Sequence, residues 1–243
     1  MTVATNRLRW ARRVEARVLL SFFGFAATLA ASIYLVSKVG EGDAVALDRW
    51  LLLRLRNEAD PSTTIGPDWL GRAMIDFTAL GGGAVLTLVT LLAAGYLLAK
   101  RKSALALFLA SSIAAGGILN TVLKSIFVRE RPDVVPHLVE VSSASFPSGH
   151  AMNSAMVYLT LAALLVSAEQ SRRVRIFLMT AAILLTLIVG FSRMYLGVHW
   201  PTDVLTGWSV GSAWALACSL LAGMLRQRQA VEGPEQEGGS GTS

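Results

Sequence analysis

Long uncharged segments are the feature that most constrains how this chain can fold. Six of them recur, each long enough to cross the apolar interior of a bilayer as one helix: 18–36, 77–99, 103–123, 151–168, 176–192 and 204–225. More than half of the residues are hydrophobic and only 16% are charged, which is too apolar for a soluble domain of this length. The sequence therefore predicts an all-α fold, a six-span transmembrane helix bundle.

A short helix is predicted between the first two spans. Within residues 38–76, four apolar side chains share one helical face and four charged side chains lie largely off it: Leu47, Trp50, Leu51 and Leu55 against Asp48, Arg49, Arg54 and Arg56. This pattern favours a helix that lies in the membrane interface. The alternative is a loop helix packed on the protein itself.

Basic clusters predict the orientation of the spans. Arginine and lysine concentrate in four places that an alternating six-span path brings to one side: residues 1–17, 100–102, 172–175 and 226–228. The positive-inside rule places this side, with both termini, in the cytoplasm of a cell-membrane protein. A net charge of +6 could also indicate nucleic acid, but the basic residues lie beside apolar spans and not along one amphipathic face, so no such partner is expected.

The same pattern divides the chain into three parts. Residues 1–17 are a basic cytoplasmic N-terminus, residues 18–228 a single membrane domain, and residues 229–243 a polar, Gly-rich tail predicted to be disordered. The first apolar run could instead be a signal peptide. It is longer than a typical signal core and is not followed by an evident small-residue cleavage site and soluble domain, so an uncleaved span is favoured.

The most informative polar residues lie between the last two spans, in residues 192–203. Pro201 suits the first position of a helix, which would place His199 just before the N-terminus and Asp203 in the first turn, within reach of one imidazole nitrogen. The other nitrogen would be free to attack, and the positive end of the helix suits an anionic substrate. Taken alone, the stretch is equally compatible with a hydrogen-bonded interfacial histidine and a snorkelling Arg193.

Two upstream motifs add the elements of an anion site. Ser148 can cap the next apolar helix, and the backbone N–H groups of Ser148, Gly149 and His150 would form an anion nest. Further upstream, Lys124 and Arg131 contribute two more cations. Three cations, two histidines and a helix start, without a nearby cluster of carboxylates or cysteines, describe a phosphate site that needs no metal.

Together these residues resemble the three-part signature of the type-2 phosphatidic acid phosphatase superfamily. Its parts are Lys124, six residues, Arg131 and Pro132; then residues 147–150; then Ser192 and Arg193, five residues, His199, three residues and Asp203. All three parts are intact and in order, and three spaced motifs are far more specific than one. The superfamily also includes soluble vanadium-dependent haloperoxidases, but six predicted spans favour its membrane lipid phosphatases.

The resemblance implies a mechanism without a cofactor. His199 would attack the phosphorus of a membrane lipid phosphate or diphosphate and form a phospho-histidine, while Asp203 holds its ring and His150 acts as acid and then as base. The non-bridging oxygens would be bound by Lys124, Arg131, Arg193, the Ser148 hydroxyl and the N–H groups around Gly149. The site would face the periplasm or exterior, because the motifs lie opposite the basic clusters.

The resemblance leaves the lipid and the acceptor open. Candidate substrates are undecaprenyl diphosphate, phosphatidylglycerol phosphate and phosphatidic acid. A lipid phosphotransferase would use the same site with an alcohol or a second lipid in place of water. A non-catalytic protein that binds or transports a lipid phosphate is the other alternative, and it is disfavoured because His150 and His199 are both present.

Overall fold

The computed structural model describes residues 45–232 and eight helical positions between residues 24 and 37. Its helices are α1 (Val45–Leu53), α2 (Asp68–Ala79), α3 (Gly83–Ala99), α4 (Ser103–Ile126), α5 (Gly149–Ser154), α6 (Thr160–Ala168), α7 (Arg172–Tyr195) and α8 (Pro201–Glu232), and a π-helical segment, Ala155–Leu159, joins α5 to α6. No strand is present among these residues, so the predicted all-α fold is confirmed for them. The predicted N-terminal segment 1–17 and first span 18–36 lie largely outside the described residues.

Four helical units in the described part of the chain are long and apolar enough to cross a membrane: α4, the α5–α6 unit, α7 and α8. A fifth is obtained if α2 and α3, which meet at a 50° bend, form one broken span. These five units match five of the six predicted spans. The six-span bundle therefore stays a prediction. Helix α8 continues through residues 229–232, which the sequence had assigned to the disordered tail.

The second predicted span, 77–99, is not one straight helix, because the chain breaks between α2 and α3. A Cβ atom on Gly81, at the break, would lie 2.3 Å from Cγ1 of Val189 in α7 and 3.3 Å from Cβ of His150 in α5. Only glycine allows so close an approach of the backbone to two other helices. The break therefore brings the start of α3 against the helices that carry the sequence motifs.

Small residues let α8 pack closely on α5. A Cβ atom on Gly207 would lie 2.8 Å from the carbonyl oxygen of Ser148, and one on Gly211 would lie 2.5 Å from that of Met152. Both contacts are with backbone atoms, so a side chain at either glycine would force the two helices apart. This close contact fixes the start of α5 relative to α8.

Helix α1 combines the two arrangements that the sequence left open. Leu47 and Trp50 are 57% and 54% exposed, which gives α1 an apolar outer face suited to the membrane interface. Asp48 and Arg56 are buried on the opposite side. Asp48 accepts hydrogen bonds from Thr202, and Arg56 donates to a backbone carbonyl oxygen at the end of α7. Asp48 of α1 and Arg56, three residues beyond its end, therefore pack on the protein, whereas Arg49 and Arg54 are exposed.

Candidate active site

A cavity of about 450 Å³ lies at the end of the bundle where α4 and α7 end and where α5 and α8 begin. Six of the eight predicted site residues line it: Lys124, Arg131, Gly149, His150, Arg193 and His199. The other two, Ser148 and Asp203, are completely buried. The fold thus brings the three sequence motifs together at one site, at the opposite end of α4 from the basic residues 100–102.

His199 lies in the short turn between α7 and α8 and is 2% exposed. Its Nε2 atom is 3.4 Å from Nη1 of Arg131, a residue of the cavity lining. Its Nδ1 atom is 3.6 Å from Oδ2 of Asp203, which is longer than a hydrogen bond, and 3.4 Å from Oγ of Ser145. Ser145 donates to the same carboxylate oxygen at 2.5 Å. The predicted His–Asp pair is therefore present as a contact of 3.6 Å, and a serine that the motifs do not mark lies beside it.

The Asp203 carboxylate accepts hydrogen bonds from other groups in addition to its contact with His199. Arg129 donates from Nη1 to Asp203 Oδ1 at 2.6 Å and from Nη2 to Asp48 Oδ2 at 2.8 Å. The backbone N–H of Trp200 donates to Asp203 Oδ2 at 3.0 Å. Asp48 in turn accepts from the Thr202 backbone N–H at 2.9 Å and from its hydroxyl at 2.6 Å. A buried chain of carboxylate, guanidinium and carboxylate thus connects α1 to the start of α8.

Lys124 and Arg131 line the cavity and also hold the loop that covers it. Lys124 Nζ donates to the Ser143 hydroxyl at 3.1 Å and to the Ala144 carbonyl oxygen at 2.7 Å. Arg131 Nε donates to the Ser143 carbonyl oxygen at 2.9 Å. Burial lowers the pKa of Arg131 from its ordinary value. An arginine nevertheless remains a cation at neutral pH, because its ordinary pKa lies far above neutrality.

Arg193 reaches the cavity from the last turn of α7. It is 4% exposed, and its Nη1 atom donates to the hydroxyl of Thr78 in α2 at 2.9 Å. Its Nε atom is buried without a hydrogen-bond partner among the described residues. Thr78 therefore orients the guanidinium and leaves its Nε donor without a partner in the described part of the chain.

Ser148 occupies the N-cap position of α5 but does not make the predicted cap. Its hydroxyl is completely buried and has no hydrogen-bond partner in the described part of the chain. Its backbone N–H donates to the carbonyl oxygen of Asp203 at 3.1 Å, so this N–H is not available to a ligand. The predicted nest is therefore reduced to Gly149 and His150, whose first-turn N–H groups lack an intrahelical acceptor.

Two asparagines that the motifs do not mark also line the cavity. Asn120 precedes Lys124 by one turn of α4, and Asn153 follows His150 by nearly one turn of α5. The Oδ1 atoms of both are buried without a partner within residues 45–232. Their spacing of four and three residues from motif positions on the same helix could have indicated them.

Burial keeps the His199 imidazole neutral. Desolvation lowers its pKa to about 4; Asp203 opposes this shift, and the cations Arg131 and Arg193 add to it. At pH 7 the ring is therefore uncharged. With the proton on Nδ1, next to Asp203 and Ser145, the lone pair on Nε2 is free for nucleophilic attack.

The cavity has the chemical character of an anion site. Three cations converge on it with two histidines and a helix start, and Glu140 contributes a carboxylate at its edge. Among the residues that the structure describes, no group of three or more His, Cys, Asp or Glu side chains is arranged to hold a metal ion. Cationic and N–H donors in a partly buried site are suited to phosphate.

Comparison with known proteins gives a consistent picture. The PAP2 superfamily matches residues 105–227. Phosphatidylglycerophosphatase B of Bacillus subtilis (strain 168) is 40% identical over 146 residues, which are 59% of this chain and 70% of that protein. Undecaprenyl-diphosphatase of Sulfolobus acidocaldarius is 34% identical over 121 residues, which are 48% of this chain and 54% of that protein.

A solved structure shares the fold. The crystal structure of a transmembrane PAP2 type phosphatidylglycerolphosphate phosphatase from Bacillus subtilis superposes with a TM-score of 0.74 at 28% identity, covering 84% of this chain and 97% of that chain. The family match includes all three motifs and spans about half of the sequence. The chain therefore belongs to the PAP2 superfamily, among its membrane lipid phosphatases.

Proposed function

We propose that this protein is an integral-membrane, metal-independent phosphatase of lipid phosphates or diphosphates that acts through a phospho-histidine at His199. The observation that carries the proposal is the convergence of His150 and His199 with three cations, Lys124, Arg131 and Arg193, on one cavity. A neutral, buried imidazole beside a carboxylate supplies a nucleophile, and the cations supply charge for a phosphoryl group.

In the first step, Nε2 of His199 attacks the phosphorus and the bond to the leaving oxygen breaks. His150 donates a proton to that oxygen, so it must begin in its protonated form while His199 begins neutral. The non-bridging oxygens accept hydrogen bonds from Lys124, Arg131 and Arg193, joined by the Ser148 hydroxyl and the N–H groups at Gly149 and His150. These donors stabilise the negative charge on the transferring group.

In the second step, water hydrolyses the phospho-histidine. His150, now neutral, accepts a proton from the water as its oxygen bonds to phosphorus, and the bond from phosphorus to Nε2 of His199 breaks. Inorganic phosphate leaves, and both histidines return to their starting protonation states. The site thus needs only the substrate and water.

The proposed substrates are phosphorylated lipids of the membrane. Phosphatidylglycerol phosphate is the first candidate because the Bacillus subtilis relative, named for that activity, is similar over 70% of its own length. Undecaprenyl diphosphate is the second, on the similarity to an undecaprenyl-diphosphatase, and phosphatidic acid is a further candidate. The cavity lies at the ends of the spans, where a lipid can present its head group while its tails remain in the bilayer.

We also propose that the site faces the periplasm or exterior of a multi-pass cell-membrane protein with cytoplasmic termini. Helices α4 and α7 each have a basic segment at the end opposite the cavity, residues 100–102 and 172–175. The positive-inside rule favours the cytoplasm for that end.

The proposal is tested by measuring phosphate release from detergent-purified protein with excess chelator, across phosphatidylglycerol phosphate, undecaprenyl diphosphate and phosphatidic acid. We expect release from at least one lipid, and a loss of about a thousandfold or more in His199→Ala, because this substitution removes the proposed nucleophile. Quenching turnover in alkali should leave a phosphoryl group on the peptide that contains His199, detected by mass spectrometry.

His137→Ala is the matched control. His137 is exposed, contacts the carbonyl oxygen of Pro132 and lies outside the cavity lining, so this variant should keep wild-type activity. Equal release by wild type and His199→Ala would contradict the nucleophile assignment. Transfer of the phosphoryl group to an added lipid alcohol, without release of inorganic phosphate, would make the protein a phosphotransferase.

A further inference from the structure

We propose that Asp48 and Arg129 are positioning residues that fix the orientation and the charge balance of Asp203 and, through it, act on His199. The inference rests on the proposed role of His199 as nucleophile. It assigns a function to α1, which lies outside the three motifs.

Arg129 bridges two buried carboxylates directly, one with each guanidinium nitrogen. The side chains of Asp48 and Asp203 are 0% exposed and that of Arg129 is 17% exposed. One guanidinium nitrogen bonds Asp203 at 2.6 Å and the other bonds Asp48 at 2.8 Å. The planar fork of arginine can bridge two carboxylates in this way, whereas a lysine ammonium offers no second nitrogen.

Asp48 also fixes the chain next to the nucleophile. It accepts the backbone N–H and the hydroxyl of Thr202, the residue directly before Asp203. The Arg129 guanidinium lies 5.4 Å from the centre of the Trp200 ring, directly after His199 in the chain. The turn that carries the nucleophile is therefore held from one side by α1 and Arg129.

The charges in this chain determine how strongly Asp203 stabilises a protonated His199. Asp203, Arg131, Arg193 and His150 are charged or titratable groups next to His199, and Lys124 and Glu140 line the same cavity. Arg129 compensates Asp203, because a cation within hydrogen-bonding distance cancels much of the field of a carboxylate. Loss of that cation should favour the imidazolium form and raise the His199 pKa, and loss of the Asp48 charge should have the opposite effect.

The direct test follows the pH dependence of His199 modification by diethyl pyrocarbonate, which reacts with neutral imidazole. The chain has three histidines, and mass spectrometry of peptides reports each of them separately. In Arg129→Gln we expect the midpoint for His199 to rise by about one pH unit relative to wild type. In Asp48→Asn it should not rise, and in the double variant, which removes one charge of each sign, it should return to within about 0.3 units of wild type.

Turnover supplies the second readout. Arg129→Gln and Asp48→Asn should each lower kcat about tenfold to a hundredfold with less change in KM, because the substrate-binding cations remain in place. Glu130→Gln is the matched control, because it removes the charge of a neighbouring exposed side chain. Glu130 contacts the site through its backbone carbonyl oxygen, which accepts from Trp200 and is kept in the variant. Both kcat and the midpoint should therefore stay unchanged.

A midpoint in Arg129→Gln equal to or below that of wild type would overturn the inference, whatever the activity. If Arg129→Gln does not fold, Asp48→Asn is compared with the double variant instead. The inference then requires a higher His199 midpoint in the double variant than in Asp48→Asn. The modification needs no turnover. Shifted midpoints in a protein without phosphatase activity would therefore refute the proposed function while supporting the coupling of Asp48 and Arg129 to His199. Unshifted midpoints in an active enzyme would refute the coupling and leave the proposed function standing.

Discussion

At the scale of single residues, the buried hydroxyl of Ser148 is suited to binding substrate. Its hydroxyl is completely buried, lies beside the cavity residues Gly149 and His150, and has no hydrogen-bond partner among the described residues. A buried hydroxyl without a partner is costly, so a bound phosphate oxygen that satisfies it is favoured. We expect Ser148→Ala to lower kcat/KM for phosphate release about tenfold to a hundredfold. Its melting temperature should stay close to that of wild type, because the substitution removes no bond of the free protein.

Ser154→Ala is the matched control for this prediction. Ser154 is equally buried six residues further along the same span, but its hydroxyl donates to the carbonyl oxygen of Ala151 and lies outside the cavity lining. It should keep full activity. Comparable kcat/KM losses in the two variants would mean that Ser148 contributes packing and not a bond to phosphate.

Individual residues could be predicted from the sequence where their chemistry follows a local spacing. Ser148, His199 and Asp203 occupy helix starts that their neighbours indicate. Asp48 and Arg129 could not be predicted in this way. Their bonds to the start of α8 join residues from 73 to 154 positions apart, and no local pattern distinguishes a buried Asp48 from a solvated one.

At the scale of elements, the contact between α5 and α8 carries the clearest prediction. A Cβ atom on Gly211 would lie 2.5 Å from the Met152 carbonyl oxygen and 2.6 Å from the Ala155 Cβ atom. Gly211→Ala must therefore push α8 away from the helix that carries His150. We expect a loss of about 1–3 kcal/mol in stability, together with reduced kcat. Both effects can be measured on purified protein, the first as a shift in melting temperature.

Gly223→Ala is the control on the same helix. A Cβ atom at Gly223 meets nothing within 4 Å, so this variant should be neutral or stabilised by up to about 1 kcal/mol through helix propensity. If Gly211→Ala is as stable and active as Gly223→Ala, the close approach of α5 and α8 is not needed to form the site.

The elements themselves were predictable to different degrees. Uncharged runs identified α4, α7 and α8, since the absence of charge over a bilayer-length segment is a strong signal. An uncharged run does not indicate where a span bends, so the break between α2 and α3 could not be predicted from it. The glycine run 81–83 was compatible with a close approach, an irregular entry or a simple turn, and only the neighbouring helices decide that Gly81 must lie against Val189.

For the whole molecule, function depends on which membrane face the cavity occupies. The cavity lies at one end of the spans and the basic segments 100–102, 172–175 and 226–228 lie at the other, so one orientation fixes both. The positive-inside rule predicts that the cavity end faces outward even though Lys124, Arg129 and Arg131 lie there. The structure gives each of these cations partners on the protein, so their position at that end does not depend on the membrane side.

Cysteine labelling in intact cells tests this orientation. The single native cysteine, Cys218, is 7% exposed and can be replaced by serine to give a background without thiols. Asp133→Cys then places a thiol on an exposed residue of the loop at the cavity end, and Gln170→Cys places one between α6 and α7 at the basic end. A membrane-impermeant maleimide should label the first in intact cells and the second only after permeabilisation, because only the cavity end is outside. The reverse pattern would invert the topology and direct the enzyme to lipid phosphates of the cytoplasmic leaflet.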